Sequence, residues 1–335
     1  MKLKLIPVCA SVVLAASVIL TNVIKGNNAG AEQNDENIST KVQISSKNDP
    51  TDVSNTQKEI YNCSNRILKE STAPDKSTKN DVFYMMLNSI DYFDKASGKM
   101  MFKSYNSEYI DTVEFQTIIS EVESYSEYKS YKSKESLELN QPEVVNKQYC
   151  NKDKFMILYP NTKEYLDKPE WIVSWSDVCS IPDSDRVSFI DNVPCYNYRS
   201  NPLNVTMSNM CLFPQEFAFG FLENQDNWEI SGIVDVSGNE CYLIKGILSP
   251  DYGSKFNVTY FEFMVSTKNG ALVRYEGFDE NNKITNYMYT DNLKFDSESE
   301  EIKEYSENKG KNCSDLFRVE NNEEEKIKQL KKELN

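Results

Sequence analysis

Between residues 228 and 295, apolar and polar positions alternate in short runs rich in β-branched and aromatic residues. Ser237-Gly238-Asn239, Lys268-Asn269-Gly270 and Asp279-Glu280-Asn281-Asn282 separate the runs. Asn-Gly marks a tight hairpin, because both residues tolerate positive φ. The pattern predicts four or five successive antiparallel strands. Upstream, Phe83, Met86, Leu87, Ile90 and Phe93 recur at helical spacing behind an Asn80-Asp81 cap, with Gly98 as the expected stop. Alternation over 99–105 and 112–119 predicts strands with one buried face. Further strands are expected at 144–149, 154–159, 171–178 and 186–190. Tyr125, Tyr128 and Tyr131 read as surface side chains on an exposed element. Residues 191–210 read as irregular. Residues 213–222 read as a short apolar helix with Pro214 at its first position. Two helices within a long antiparallel meander make an α+β pattern.

The flanks differ from this core. In 32–79 polar residues dominate and Tyr61 is the sole aromatic, which is the composition of a flexible spacer. Residues 299–335 read as a charged tail, with a solvated helix near its end. Residues 1–31 carry Lys2 and Lys4, a mostly apolar run from 5 to 24, and Ala29-Gly30-Ala31. That is the form of a cleavable signal peptide or, with the run uncleaved, of an N-terminal membrane anchor. Either places the rest of the chain outside the cytoplasm, secreted or held at the cell membrane.

The net charge of −15 argues against a nucleic-acid partner and against binding to an anionic membrane surface. Membrane contact is expected only through the N-terminal segment. The chain has no histidine, so Ser–His–Asp and Cys–His nucleophiles are excluded. Seven cysteines follow the N-terminal segment without a C-x-x-C pair, so no zinc knuckle, other metal site or thioredoxin-type centre is indicated, and their connectivity is open. There is no phosphate loop, nucleophile elbow or EF-hand, and no cofactor is expected. Pairs such as Asp183/Asp185 and Asp235/Glu240 read as solvated surface among 52 carboxylates. No catalytic residue is assigned. Asn204-Val205-Thr206 and Asn257-Val258-Thr259 match the glycosylation sequon, which has meaning only in a eukaryotic secretory host.

The order of elements carries a resemblance. It runs from the D-V-F-Y-M-M-L-N-S-I-D-Y-F-D stretch at 81–94, through L-F-P-Q-E at 212–216 and W-E-I-S-G-I-V-D-V-S-G-N-E-C-Y-L-I-K-G at 228–246, to F-M-V-S-T-K-N-G-A-L-V-R-Y-E-G-F-D at 263–279. Over 80–298 this resembles the exported half-barrel proteins of low-GC bacteria. It is more distantly similar to the lipoprotein carrier LolA and the envelope-stress sensor RseB. Ser266 and Asn269 depart from the hairpin turn usual there. The resemblance implies a strongly curved, unclosed antiparallel sheet with helices on its concave side. It implies a non-enzymatic module binding a hydrophobic ligand (lipid, lipoprotein or lipopeptide) or an envelope partner protein. Phe83, Met86, Leu87, Ile90, Phe93, Phe217, Phe219 and Phe221 would then pack into the concave side and wall any ligand cavity. At helical spacing such a stripe is ordinarily core. The alternatives are a carboxylate-based cell-wall hydrolase and a structural or interaction protein without a ligand. Limited proteolysis should trim the chain to about 80–298; a resistant full-length chain would contradict that division.

Overall fold

Ser237 and Gly238 adopt φ of 53° and 85° between Val236 and Asn239, which pair directly. The first run of the meander therefore folds straight back onto the second. The computed structural model of the protein describes residues 67–190, 193–303 and 311–312. The expected signal or anchor, most of the spacer and most of the tail lie outside these residues.

Thr78 and Asp81 cap α1 (Lys79–Leu87) reciprocally: the Asp81 carboxylate accepts from Thr78 N at 2.7 Å, and Thr78 Oγ1 accepts from Asp81 N at 3.2 Å. The helix thus starts before Asn80 and ends at Leu87, followed by a 3₁₀ turn at Ser89–Asp91. Three antiparallel strands follow: β1 (Lys95–Lys103), β2 (Ile110–Ile118) and β3 (Glu123–Tyr131). Gly98 lies inside β1 and is no helix stop; an added Cβ there would stand 3.1 Å from Leu293 Cα. After α2 (Lys134–Glu138) come β4 (Val144–Asn151), β5 (Lys154–Tyr159) and β6 (Glu164–Asp167). The chain then leaves the sheet. Residues 171–178 are not a strand: Pro169–Trp171 and Trp175–Asp177 are 3₁₀ turns. Arg186 precedes the short hairpin β7 (Val187–Ile190) and β8 (Val193–Tyr196). The expected apolar helix at 213–222 is broken. It follows a separate turn of helix, α3 (Asn209–Leu212), and consists of α4 (Gln215–Phe217) and a π-helical turn at Ala218–Leu222.

The meander returns as β9 (Trp228–Val236), β10 (Asn239–Ile247), α5 (Pro250–Phe256), β11 (Tyr260–Ser266), β12 (Leu272–Phe278) and β13 (Ile284–Phe295). A two-residue strand, β14 (Lys311–Asn312), lies parallel to β6. The sheet order is β14-β6-β5-β4-β3-β2-β1-β13-β12-β11-β10-β9, antiparallel except at β14. Its two ends do not meet, so it is an unclosed, curved half-barrel with helices on its concave side. The joint between its halves is the pairing of β1 with β13. Met100, Val113, Phe115, Phe263, Tyr275 and Met288 point inward to a single core. Among the described residues no helix is long and apolar enough to cross a membrane.

The tyrosines of β3 correct the surface reading: Tyr125, Tyr128 and Tyr131 are all buried. Three-residue spacing places Tyr128 on the opposite face from Tyr125 and Tyr131. Tyr128 donates to Asp111 inside, at 2.7 Å. Tyr125 lies outside, under residues that follow β13. Glu300 N donates to Ser97 Oγ at 2.8 Å and Lys303 N to Gln116 Oε1 at 3.3 Å. The Lys303 ammonium pairs with Glu114 and stands 5.1 Å from the Tyr125 ring. The chain therefore crosses the outer face over β1, β2 and β3. At the other flank Lys69 N donates to Asp91 O at 2.9 Å.

Two turn glycines separate conformation from crowding. Gly238, at φ 85°, has open space around it, whereas Gly270, at φ 72°, abuts the backbone of α1, with Met85 O 2.5 Å from an added Cβ. Gly238→Ala should cost ~1–2 kcal/mol, the left-handed backbone penalty. Gly270→Ala should lose a further ~1–3 kcal/mol for overpacking. Urea denaturation of both variants checks the order; equal losses would mean the hairpin is not held against α1.

Candidate functional site

All eight residues expected to wall a cavity sit in the core, none more than 8% exposed. Phe83 meets Phe219 edge-on at 6.2 Å, and Phe93 packs on Phe295 at 5.1 Å. Phe217 and Phe221 join Phe263 and Tyr275 in an aromatic cluster with centroids 5.1–5.7 Å apart. Phe219 points elsewhere, stacking on Tyr196 at 4.8 Å. The spacing explains this: Phe217 and Phe221 are one turn apart, while Phe219 falls between them.

The other half of the concave side is filled by backbone. Thr117 Oγ1 donates to Leu203 O at 3.1 Å and Ser124 Oγ to Asn204 O at 2.7 Å, with Gln148 Nε2 donating to the same oxygen. Asn204 in turn bridges to Val173: its Oδ1 accepts from Val173 N and its Nδ2 donates to Val173 O. Buried polar groups on the inner face are thus satisfied by the insertion between β6 and β9.

Two arginines hold that insertion in place. Arg199 grips Asp91 bidentately at 2.9 and 3.1 Å, and donates to Asn88 Oδ1 at 3.0 Å and Cys179 O at 3.1 Å. Arg186 is fully buried and donates to Asn88 Oδ1, Leu87 O and Gln215 Oε1. Its Nε has no acceptor among the described residues. Burial, with Arg199 nearby, lowers its pKa to about 10. Gln215 closes the network, accepting from Arg199 N and donating to Arg199 O. Burial would raise the Asp91 carboxyl, but the hydrogen bond and charge of Arg199, with Lys69 at 3.0 Å, leave it below the usual range. Sequence reasoning missed this network. The available signal was that Arg186 and Arg199 are the only basic residues from 169 to 227.

Two cavities lie elsewhere. One, of about 290 Å³, opens on the outer face between Lys99, Glu114, Glu127, Lys129, Tyr131 and Tyr289. The other, about 620 Å³, lies by Lys79, Trp228, Gly246, Tyr260 and Phe278. None of the eight expected residues lines either one.

No family model matches the chain, and no curated protein matches it in sequence. Solved structures overlap it in part. An uncharacterized conserved protein from Thermus thermophilus aligns at 7% identity, covering 71% of this chain and 99% of that one, with a TM-score of 0.33. MucB aligns at 8% identity over 70% of this chain and 66% of its own, with a TM-score of 0.36. LprF from Mycobacterium bovis aligns at 10% identity over 69% of this chain and 100% of its own, with a TM-score of 0.33.

The chemistry of the outer cavity does not suit hydrolysis. Glu114 and Glu127 are cross-strand neighbours. Burial raises Glu114, but Lys303 and Lys99 outweigh it; burial raises Glu127, but Tyr125, Lys129 and Lys147 outweigh that. Both remain ionised near neutrality, whereas a glycosidase pair needs one carboxyl kept protonated. The other acidic pairs are on the surface, Asp183/Asp185 in a 3₁₀ turn and Asp235/Glu240 paired across β9 and β10. Among the described residues no cluster could hold a metal ion. Five described cysteines are free thiols, and burial pushes Cys150 and Cys241 up to about 12.

The Arg199–Asp91 pair sets a pH dependence. A lowered carboxyl stabilises the fold fully above its unfolded pKa of ~3.9 and loses that contribution as pH falls through the folded value. Asp91→Ala should cost ~3–5 kcal/mol near neutrality, because it strands a buried guanidinium. The gap to the parent protein should narrow below pH ~4. Chemical denaturation across pH measures it; a gap constant with pH would contradict the assignment.

Proposed function

We propose that the chain is an extracytoplasmic, non-enzymatic binding module whose ligand is a partner protein of the envelope. The observation that carries this reading is the filled concave side. The aromatic cluster, α1 and the loop at Leu203–Asn204 occupy the space in which an open half-barrel would hold an acyl chain. Binding is thereby left to outer surfaces, which suits recognition of a protein. Export follows from the apolar, Lys-flanked N-terminal segment. The paired, ionised state of Glu114 and Glu127 argues against the carboxylate hydrolase.

The rival reading is a lipid or lipopeptide held among the Met and Phe side chains of the core. Native mass spectrometry of the protein purified gently from its own host separates the two. The expected result is lipid-free protein, with a fraction in a complex with another protein. A lipid retained in stoichiometric amount would overturn the proposal, as would monomeric protein alone at every extraction condition.

A further inference from the structure

The hairpin β7–β8 stands apart from the large sheet as a two-stranded sheet of its own. A hairpin this short is marginal in water by itself. Here its base is fixed. Val187 and Tyr196 pack on the core, Tyr196 stacks on Phe219, and its hydroxyl donates to Glu223 at 3.2 Å. Asn197 N donates to Arg186 O at 2.9 Å. Buried Arg186 and Arg199 flank the hairpin on either side in sequence. Its far end is different. Phe189 and Ile190 are each 64% exposed and Val193 is 48% exposed, with Phe189 opposite Pro194 and Ile190 opposite Val193. Apolar side chains gathered on a projection, and left uncovered by the other described residues, mark an interaction surface.

The charge around the hairpin selects what covers it. Asp183 and Asp185 are exposed at its base, and the only basic residue from Pro182 to Asn197, Arg186, is buried. An acidic base on a chain of net charge −15 is repelled by an anionic bilayer. A second copy would bring like charge against like across a two-fold axis. A protein groove with an apolar floor and a lysine- or arginine-bearing rim complements both features. We propose that β7–β8 is the docking element of this protein, seating Phe189 and Ile190 in such a groove of an envelope partner. This rests on the partner-binding reading above and narrows it to one surface.

The test uses the full chain in its own host, with a photo-crosslinking amino acid at position 189 and, as control, at Leu139, which is 59% exposed. The expected result is one discrete heterologous protein joined from position 189 and not from 139. That protein is then identified, purified and titrated calorimetrically. Phe189→Ser/Ile190→Ser should weaken its binding at least about tenfold, as central apolar anchors do. Asp183→Asn/Asp185→Asn should weaken binding and flatten its salt dependence. Thermal melting of the first double variant should match the parent, because neither side chain is buried. Crosslinks only to lipid, only to a second copy, or to nothing would overturn the proposal. If host extracts yield a partner that binds the Phe189→Ser/Ile190→Ser variant as tightly as the parent, the docking assignment falls while the partner-binding reading stands.

Discussion

A curved sheet whose ends do not meet cannot bury its own concave face. A closed barrel fills its interior with the side chains of its strands; a half-barrel has to bring in other parts of the chain. Here that demand is met by α1, by the broken helical stretch from Asn209 to Leu222 and by the backbone at Leu203–Asn204. The material is mixed, and the sheet is matched to it. Where Phe217 and Phe221 arrive, the inner face presents Phe261, Phe263 and Tyr275. Where backbone arrives, it presents Thr117, Ser124 and Gln148. Apolar area is buried on one half and hydrogen bonds are completed on the other.

Drawing a loop-rich insertion into the concavity raises a second demand, because its ends must be held without a continuous helix. Arg186 and Arg199 meet it with planar donors that reach several carbonyl and carboxylate oxygens at once. Removing two guanidiniums from water is costly, and one carboxylate, Asp91, sits among them. Other guanidinium donors go to Asn88, Gln215 and backbone oxygens, which spreads the charge over neutral acceptors, and Arg186 Nε is left without one among the described residues.

The meander was legible in the sequence because its turns carry Gly and Asn at positive φ and its strands alternate cleanly. The run at 154–159 agrees residue for residue with β5. Three features misled. Residues 171–178 alternate like a strand, yet Pro169 and the caps at Ser174 and Asp177 turn the chain twice. Gly98 reads as a helix stop, but its missing Cβ lets the β13 backbone come close. Tyr125, Tyr128 and Tyr131 read as surface side chains on an exposed element, and nothing local to 125–131 reports that they lie in β3 or that Lys303 lies across Tyr125. The eight apolar candidates were found by spacing and do lie together in the core; periodicity alone does not distinguish a wall from a filling. The arginine network was hidden because its partners at 88, 91, 186, 199 and 215 are brought together only by the tertiary fold.

The pairing of β1 with β13 has a consequence in time. It joins the first strand of the sheet to the last but one in sequence, so Met100 must wait for Thr290 before either half acquires its neighbour. Each half can form hairpins early, from strands adjacent in sequence. The seam between them closes a loop of most of the chain and pays its entropy last. Until Phe295 is available the inner face of β1 has no completed sheet beside it, and the core cannot be sealed. During synthesis the seam is thus among the last contacts the chain can make, since one of its two strands is nearly the last to be added.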